Sequence, residues 1–331
     1  MSWPQFAGGH RQMKRCALII VVTAVSLVGL SSPRYRSSAA SRDGGRKLPI
    51  TNSGRQLEIV DPKTGLRLSV MEQKAPRLRI LLPTQSSDER GIEVVFPEHV
   101  TARQLGSTDA EHLYLFSRPA QGFQPHWQLD GKSLRYEMDL APGVHMQARA
   151  TLQKDGVRFD YHFANHSKID YDTLQAVTDP RMQAPFHDVR LERTYVHHQE
   201  GFELLASETP ERLTMPLNKW LPARYLASFQ WQVMPLRVEK RDDGITYYNK
   251  SRRVDEPFIA TVSVDGAWVA ATFSRQAGNV WSNPELTCQH ADPETSLKAG
   301  GTAHLAEKML IFRGTLTDVL AKVRQQREDL K

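Results

Sequence analysis

The stretch "VHMQARATLQKDGVRFDYHFAN", Val144 to Asn165, decides the fold. Val144, Met146, Ala148, Ala150 and Leu152 recur at every second position, as do Val157, Phe159, Tyr161 and Phe163. That period gives each run one apolar face, because successive side chains of a strand point to opposite sides. Between the runs stands "QKDG", Gln153 to Gly156. Asp-Gly at such a place marks a tight hairpin, since the turn requires positive φ and glycine reaches it without a Cβ clash. The stretch therefore predicts two antiparallel strands, each buried on one side.

Working outward, Asp-Gly recurs at Asp130-Gly131, Asp243-Gly244 and Asp265-Gly266, the last two joining "LRVEK" to "ITYYN" and "FIATVSV" to "WVAATFS". Four such turns predict an all-β protein, and strands of this number and length suit a large antiparallel β-sandwich. Helical spacing is confined to the end, where Leu316, Val319, Leu320 and Val323 share a face. Thr315 and Asp318 form a capping-box-like start there, so a C-terminal α-helix packed on a sheet is expected. The region Asp179 to Pro222, rich in Pro, His and Arg, is expected to form long loops across one end of the sandwich.

The 331 residues carry 43 Lys and Arg against 37 Asp and Glu, a formal charge of +6. Much of that excess sits at the N-terminus. Arg11, Lys14 and Arg15 precede the apolar run Ala17 to Leu30, and small residues follow at Ser37 to Ser41. This is the order of a secretory signal, and the run is short for a bilayer span. Residues 1–40 are read as a signal peptide or membrane anchor, 41–52 as a polar linker and 53–331 as a single sandwich domain with its helix. Cleavage near Ala40 would remove Arg11, Lys14, Arg15, Arg34 and Arg36 and no acid, leaving 38 basic residues against 37 acidic ones. The phosphate-binding electrostatics of a nucleic-acid partner are then gone. An extracytoplasmic body, periplasmic or secreted, is expected, with a membrane association only through an uncleaved leader. Cys16 lies in the leader, which leaves Cys288 alone and no intrachain disulfide.

Two stretches resemble the galactose mutarotase-like, or aldose 1-epimerase-like, supersandwich superfamily: "GVRFDYHFANHSKIDYDTL", Gly156 to Leu174, and "ELTCQHADPETSLKAGGTAHLAEKMLIF", Glu285 to Phe312. In that group a histidine serves as general acid toward the ring oxygen of a sugar and a glutamate as general base toward the anomeric hydroxyl. The resemblance assigns the base to Glu285. Where the family has an Asn-His-aromatic turn, this chain reads "LQAVTDPRM", Leu174 to Met182, which contains no histidine.

The densest chemistry lies in "NVWSNPELTCQHADP", Asn279 to Pro293. Trp281 could cover the C–H face of a pyranose while Glu285 meets its hydroxyls, with Asn283 in the turn beside them. Cys288 and His290, two apart, would share one strand face. They make a single pair where zinc needs three or four ligands, so no metal and no cofactor are expected. In "APFHDVRLERTYVHHQEGF", Ala184 to Phe202, Asp188 could orient His187 as an acid, and Arg193 could meet a carboxylated sugar. His197 and His198 would point to opposite sides of a strand. Trp127, Trp220 and Trp231 could stack on sugars or pack the core.

The sequence reading is thus an exported carbohydrate-binding or carbohydrate-active β-sandwich. Its site would use Glu285, His290 and His187 for acid–base chemistry on a sugar ring, with Trp281, Asn283 and Arg193 holding the substrate. The alternative is a non-catalytic structural or interaction module of the cell envelope. No Gly-x-Ser-x-Gly elbow, phosphate loop, dinucleotide fingerprint or His-Glu-x-x-His occurs, so the hydrolase, nucleotide and metalloprotease classes lack their parts.

Overall fold

A computed structural model describes residues 57–71, 75–117, 125–140, 143–207, 223–241 and 244–331. The leader, the linker, Trp220 and Asp243 lie outside the described residues. The Val144–Asn165 stretch forms β8 (Val144–Gln153) and β9 (Gly156–Asn165), paired antiparallel from Val144↔Asn165 to Gln153↔Gly156. Gly156 has φ +147, and a Cβ there would meet the Met309 carbonyl oxygen, so the turn also needs glycine for a close backbone approach. Asp130-Gly131, Gly244 and Asp265-Gly266 also lie between paired strands: β6 (Gln128–Asp130) with β7 (Ser133–Leu140), β14 (Val238–Lys240) with β15 (Thr246–Asn249), and β16 (Phe258–Val262) with β17 (Trp268–Ser274).

Nine strands make the largest sheet, in the order β12 (Gly201–Leu204), β11 (Thr194–His198), β16, β17, β20 (Thr302–Arg313), β9, β8, β7, β6. A seven-stranded sheet faces it, in the order β1 (Glu58–Val60), β2 (Arg67–Val70), β3 (Arg77–Leu81), β4 (Ile92–Gln104), β10 (Tyr171–Arg181), β19 (Glu294–Leu297), with β5 (Ala110–Leu115) also on β4. The apolar faces read from the alternation meet between them. Phe96 of β4 sits 5.1 Å from the Phe159 ring and 4.8 Å from the Tyr161 ring, and its carbonyl accepts from the Tyr136 hydroxyl at 2.6 Å. This is an all-β sandwich with one C-terminal helix. A third sheet, β14–β15–β13–β18, adds β13 (Ala223–Ser228) and β18 (Asn279–Ser282). Its β13 and β15 run parallel, the one departure from antiparallel pairing among the described strands.

The run "WVAATFS" is buried at every position, which alternation alone does not predict. The helix α1 (Leu316–Gln326) explains it by covering the outer face of β16 and β17 through Val319 and Val323. Each buried valine stabilises that contact by about 1.5–3 kcal/mol. The capping box forms as read: the Thr315 hydroxyl accepts from the Asp318 N–H and the Asp318 carboxylate from the Thr315 N–H. Among the described residues no helix is long and apolar enough to cross a membrane.

Candidate functional site

The first four residues of "NVWSNPELTCQHADP" are β18, and the chain then doubles back on it. Asn283 drives the reversal: its side-chain oxygen accepts from the Thr287 N–H at 2.9 Å and its amide donates to the Thr287 hydroxyl at 2.7 Å. Leu286 takes φ +50 in the same turn. Trp281 and His290 then face each other across reciprocal backbone hydrogen bonds of 3.0 Å, and their rings stack at 3.7 Å and 3°. The returning arm also docks on the end of β10, where Arg181 bridges Cys288 and the Pro180 carbonyl accepts from the Gln289 N–H. Alternation then sorts the arm. Gln289 turns inward to the Thr261 and Thr272 hydroxyls, while Cys288 and His290 face a cavity.

That cavity is an open cup of about 420 Å³ lined by residues of four segments. β10 contributes Asp179 and Arg181, with Gln183 just beyond; β4 contributes Glu98; β13 contributes Arg224; the hairpin contributes Trp281, Asn283, Thr287, Cys288 and His290. Glu98 is placed by a bulge. Between the pairs Asp179↔Val95 and Val177↔His99, the β4 residues Phe96, Pro97 and Glu98 lie opposite Thr178 alone. Such an irregularity re-aims the side chains of the longer strand.

The charges of the cup differ in state. Burial opposes ionisation of Glu98, but a hydrogen bond from His99 and the charges of His290 and Arg181 outweigh it and lower its pKa. At Asp179 burial prevails, reinforced by Glu98, and the carboxyl is raised despite His290 and Arg181. Burial would depress His290, yet Cys288 and Asp292 raise it well above an ordinary imidazole. Asp292 also fixes Trp281, accepting from its indole N–H at 3.1 Å.

The sequence-derived candidates separate here. His290, Trp281 and Asn283 line the cup. Glu285 sits at the hairpin tip, beside the positive-φ Leu286, and is not among the lining residues. His187 and Arg193 are not lining residues either. Asp188, expected to orient the His187 ring, instead accepts from the Glu192 and Arg193 N–H groups and the Thr194 hydroxyl. The Arg193 guanidinium donates to the Val262 and His187 carbonyls, so it braces the loop. The expected sugar-stacking face of Trp281 is covered: His290 lies on one side and the Arg224 guanidinium is 4.5 Å over the ring. Trp127 packs edge-on against Tyr136 at the core. His197 and His198 take separate partners, Asp255 and the Arg253 carbonyl.

Sequence reasoning missed Glu98, Asp179, Arg181 and Arg224. A signal for two of them stood in "VTDPRM": Asp179 and Arg181, two apart on a strand, share a face, and the Arg181 Nε donates to the Asp179 carboxylate at 2.6 Å.

No family model matches the chain, and no curated protein matches it. Solved structures do. A galactose mutarotase related enzyme from Lactobacillus acidophilus is 11% identical over 79% of this chain and 99% of its own, with a TM-score of 0.45. A galactose mutarotase-like protein from Lactobacillus casei is 11% identical over 78% of this chain and 100% of its own, with a TM-score of 0.45. Another from Clostridium acetobutylicum is 10% identical over 76% and 94%, with a TM-score of 0.38. The resemblance read from Gly156–Leu174 and Glu285–Phe312 is to this same group.

Proposed function

We propose that the protein is exported and that its cup binds a saccharide. The observation that carries this reading is the convergence of acceptors and donors in one open cavity: the Glu98 and Asp179 carboxylates, the Gln183 amide and the Arg181 and Arg224 guanidiniums. Each sugar hydroxyl both donates and accepts, so a ring needs both kinds of group around it. The volume lies in the range of small-ligand sites, about 300–1,000 Å³. A second hollow of about 250 Å³ shares Arg224 and Trp281 with the cup and adds Trp231 and Tyr247. Trp231 is 45% exposed and supplies the open aromatic face that Trp281 lacks. Export is supported by the charged, apolar, small-residue order of residues 11–41.

Acid–base chemistry on the ring belongs to the same reading: Glu98 accepts the anomeric hydroxyl proton while a solvent proton goes to the ring oxygen and the ring C–O bond breaks, and the reverse transfers reclose the ring. Calorimetric titration of the purified full chain with a panel of mono- and disaccharides tests binding. Saturable heat is expected, weakened at least about tenfold, or 1.4 kcal/mol, in Glu98→Gln and in Arg224→Ala. No saccharide heat from the native protein removes the proposal in favour of the envelope-module alternative. Polarimetric anomer interconversion above the buffer rate, lost in Glu98→Gln, separates catalysis from binding alone.

A further inference from the structure

We propose that Asp179, Cys288 and His290 form a divalent-metal site at the base of the cup, with zinc the ion their donors favour. A carboxylate oxygen, the Cys288 sulfur and a His290 ring nitrogen all lie within 4.8 Å of one another. With bonds of about 2.0–2.3 Å, tetrahedral zinc sets its ligands roughly 3.3–3.8 Å apart, so small side-chain rotations close the site. His290 Nε2 and Asp179 Oδ1 already stand 3.8 Å apart, too far to hydrogen-bond and close to the edge of a shared coordination tetrahedron. Thiolate, imidazole and carboxylate together suit zinc better than the hard cations, which take oxygen alone.

A second line of observation concerns the other end of each ligand. Metal-bound histidines hand their remaining ring nitrogen to a carboxylate or carbonyl, which fixes the ring. Here His290 Nδ1 lies 3.4 Å from Asp292 Oδ1, and Asp292 is itself held by the Trp281 indole N–H. Asp179 Oδ2 accepts from Arg181 Nε at 2.6 Å, which leaves Oδ1 toward His290. The Ser282 hydroxyl donates to the Cys288 carbonyl and lies 3.9 Å from its sulfur. Each ligand is thus gripped from behind with one atom left facing the others. All three residues also line the open cup, so a three-ligand ion would keep a coordination position directed at whatever enters it. On binding, the thiol proton of Cys288 and any proton on Nε2 pass to solvent, as the ligands must be deprotonated.

The site stands independently of the saccharide reading, because its ligands are defined without one. The test uses the purified full chain, stripped with a chelator and titrated with zinc. One equivalent should bind, and cobalt in its place should show a thiolate-to-cobalt charge-transfer band. Cys288→Ser should abolish the band, and Asp292→Asn should weaken affinity about 10–100-fold while keeping the stoichiometry. Uptake well below one equivalent, one equivalent without a thiolate band, or unchanged affinity in His290→Gln each overturns the proposal. If a variant fails to fold, the cobalt spectrum of the native chain decides alone. Saccharide titration of the stripped protein is read separately, so failure of either idea leaves the other measurable.

Discussion

Asp155 and Asp179 are the same residue type, each 4% exposed, yet they behave in opposite ways. Asp155, in the β8–β9 turn, accepts from Lys308 at 2.7 Å, Lys322 at 3.0 Å and Gln326 at 2.9 Å. Burial opposes its charge, but those donors outweigh burial and hold its pKa down to about 2. Asp179 has one close donor, Arg181, and burial raises it. Their surface exposure is equal, but Asp179 lies deeper, has fewer donors and carries the like charge of Glu98 beside it. A carboxylate saturated by its own protein joins helix α1 to the sheet. One with a single close donor lines a cavity, where the proposed ligand would meet it.

Variants can break or sharpen this contrast. The largest effect is expected from Asp155→Asn, which removes the counter-charge of Lys308, itself only 4% exposed, and leaves it the neutral Gln326 oxygen. Losing one partner of a buried pair costs about 3–5 kcal/mol, measurable as a lowered denaturation midpoint. A loss no greater than that of Asp179→Asn would erase the distinction.

Acid should produce part of the same loss. The folded pKa of Asp155 is depressed from 3.8 to about 2, so its contribution is fully present above about 4 and disappears as the pH falls toward 2. Native protein should therefore lose stability across that window more steeply than Asp155→Asn. Equal slopes would mean that Asp155 is not the group titrating.

At the other end of α1, Thr315→Ala removes the N-cap acceptor and should cost about 0.5–2 kcal/mol in thermal or chemical melts. A neutral result would show that burial of Val319 and Val323 holds the helix without its cap.

The smallest stability change belongs to Asp179→Asn, about 1 kcal/mol at most in either direction. The carboxylate is costly to bury, and Arg181 retains Glu93 at 3.7 Å as a second partner. The same variant should nevertheless lose ligand binding in the cup. A large drop in melting temperature would make Asp179 a structural residue like Asp155.

How much of this could be read in advance follows the range of the forces. His290, Trp281 and Asn283 were legible because the residues that place them are near neighbours in sequence: Asn283 bonds Thr287, and the hairpin closes on itself. Glu285 belongs to the same hairpin but lies at its tip, outside the cup, and composition does not reveal where along the hairpin the chain reverses. Glu98 depends on a bulge between β4 and β10, and Arg224 on the pairing of β13 with β18. Neither leaves a periodic trace.

The sequence by itself determined the β class, the Asp-Gly hairpins and the capped final helix, because alternation, turn sterics and capping act within a few residues of backbone. Tertiary structure alone decided that β10 ends against the returning arm of the 279–293 hairpin. Asp179 thereby meets Cys288 and His290, and Trp281 is closed between His290 and Arg224. Those meetings depend on which sheet edges pair across long stretches of chain, and the burial and charge that set each group's chemistry exist only after they do.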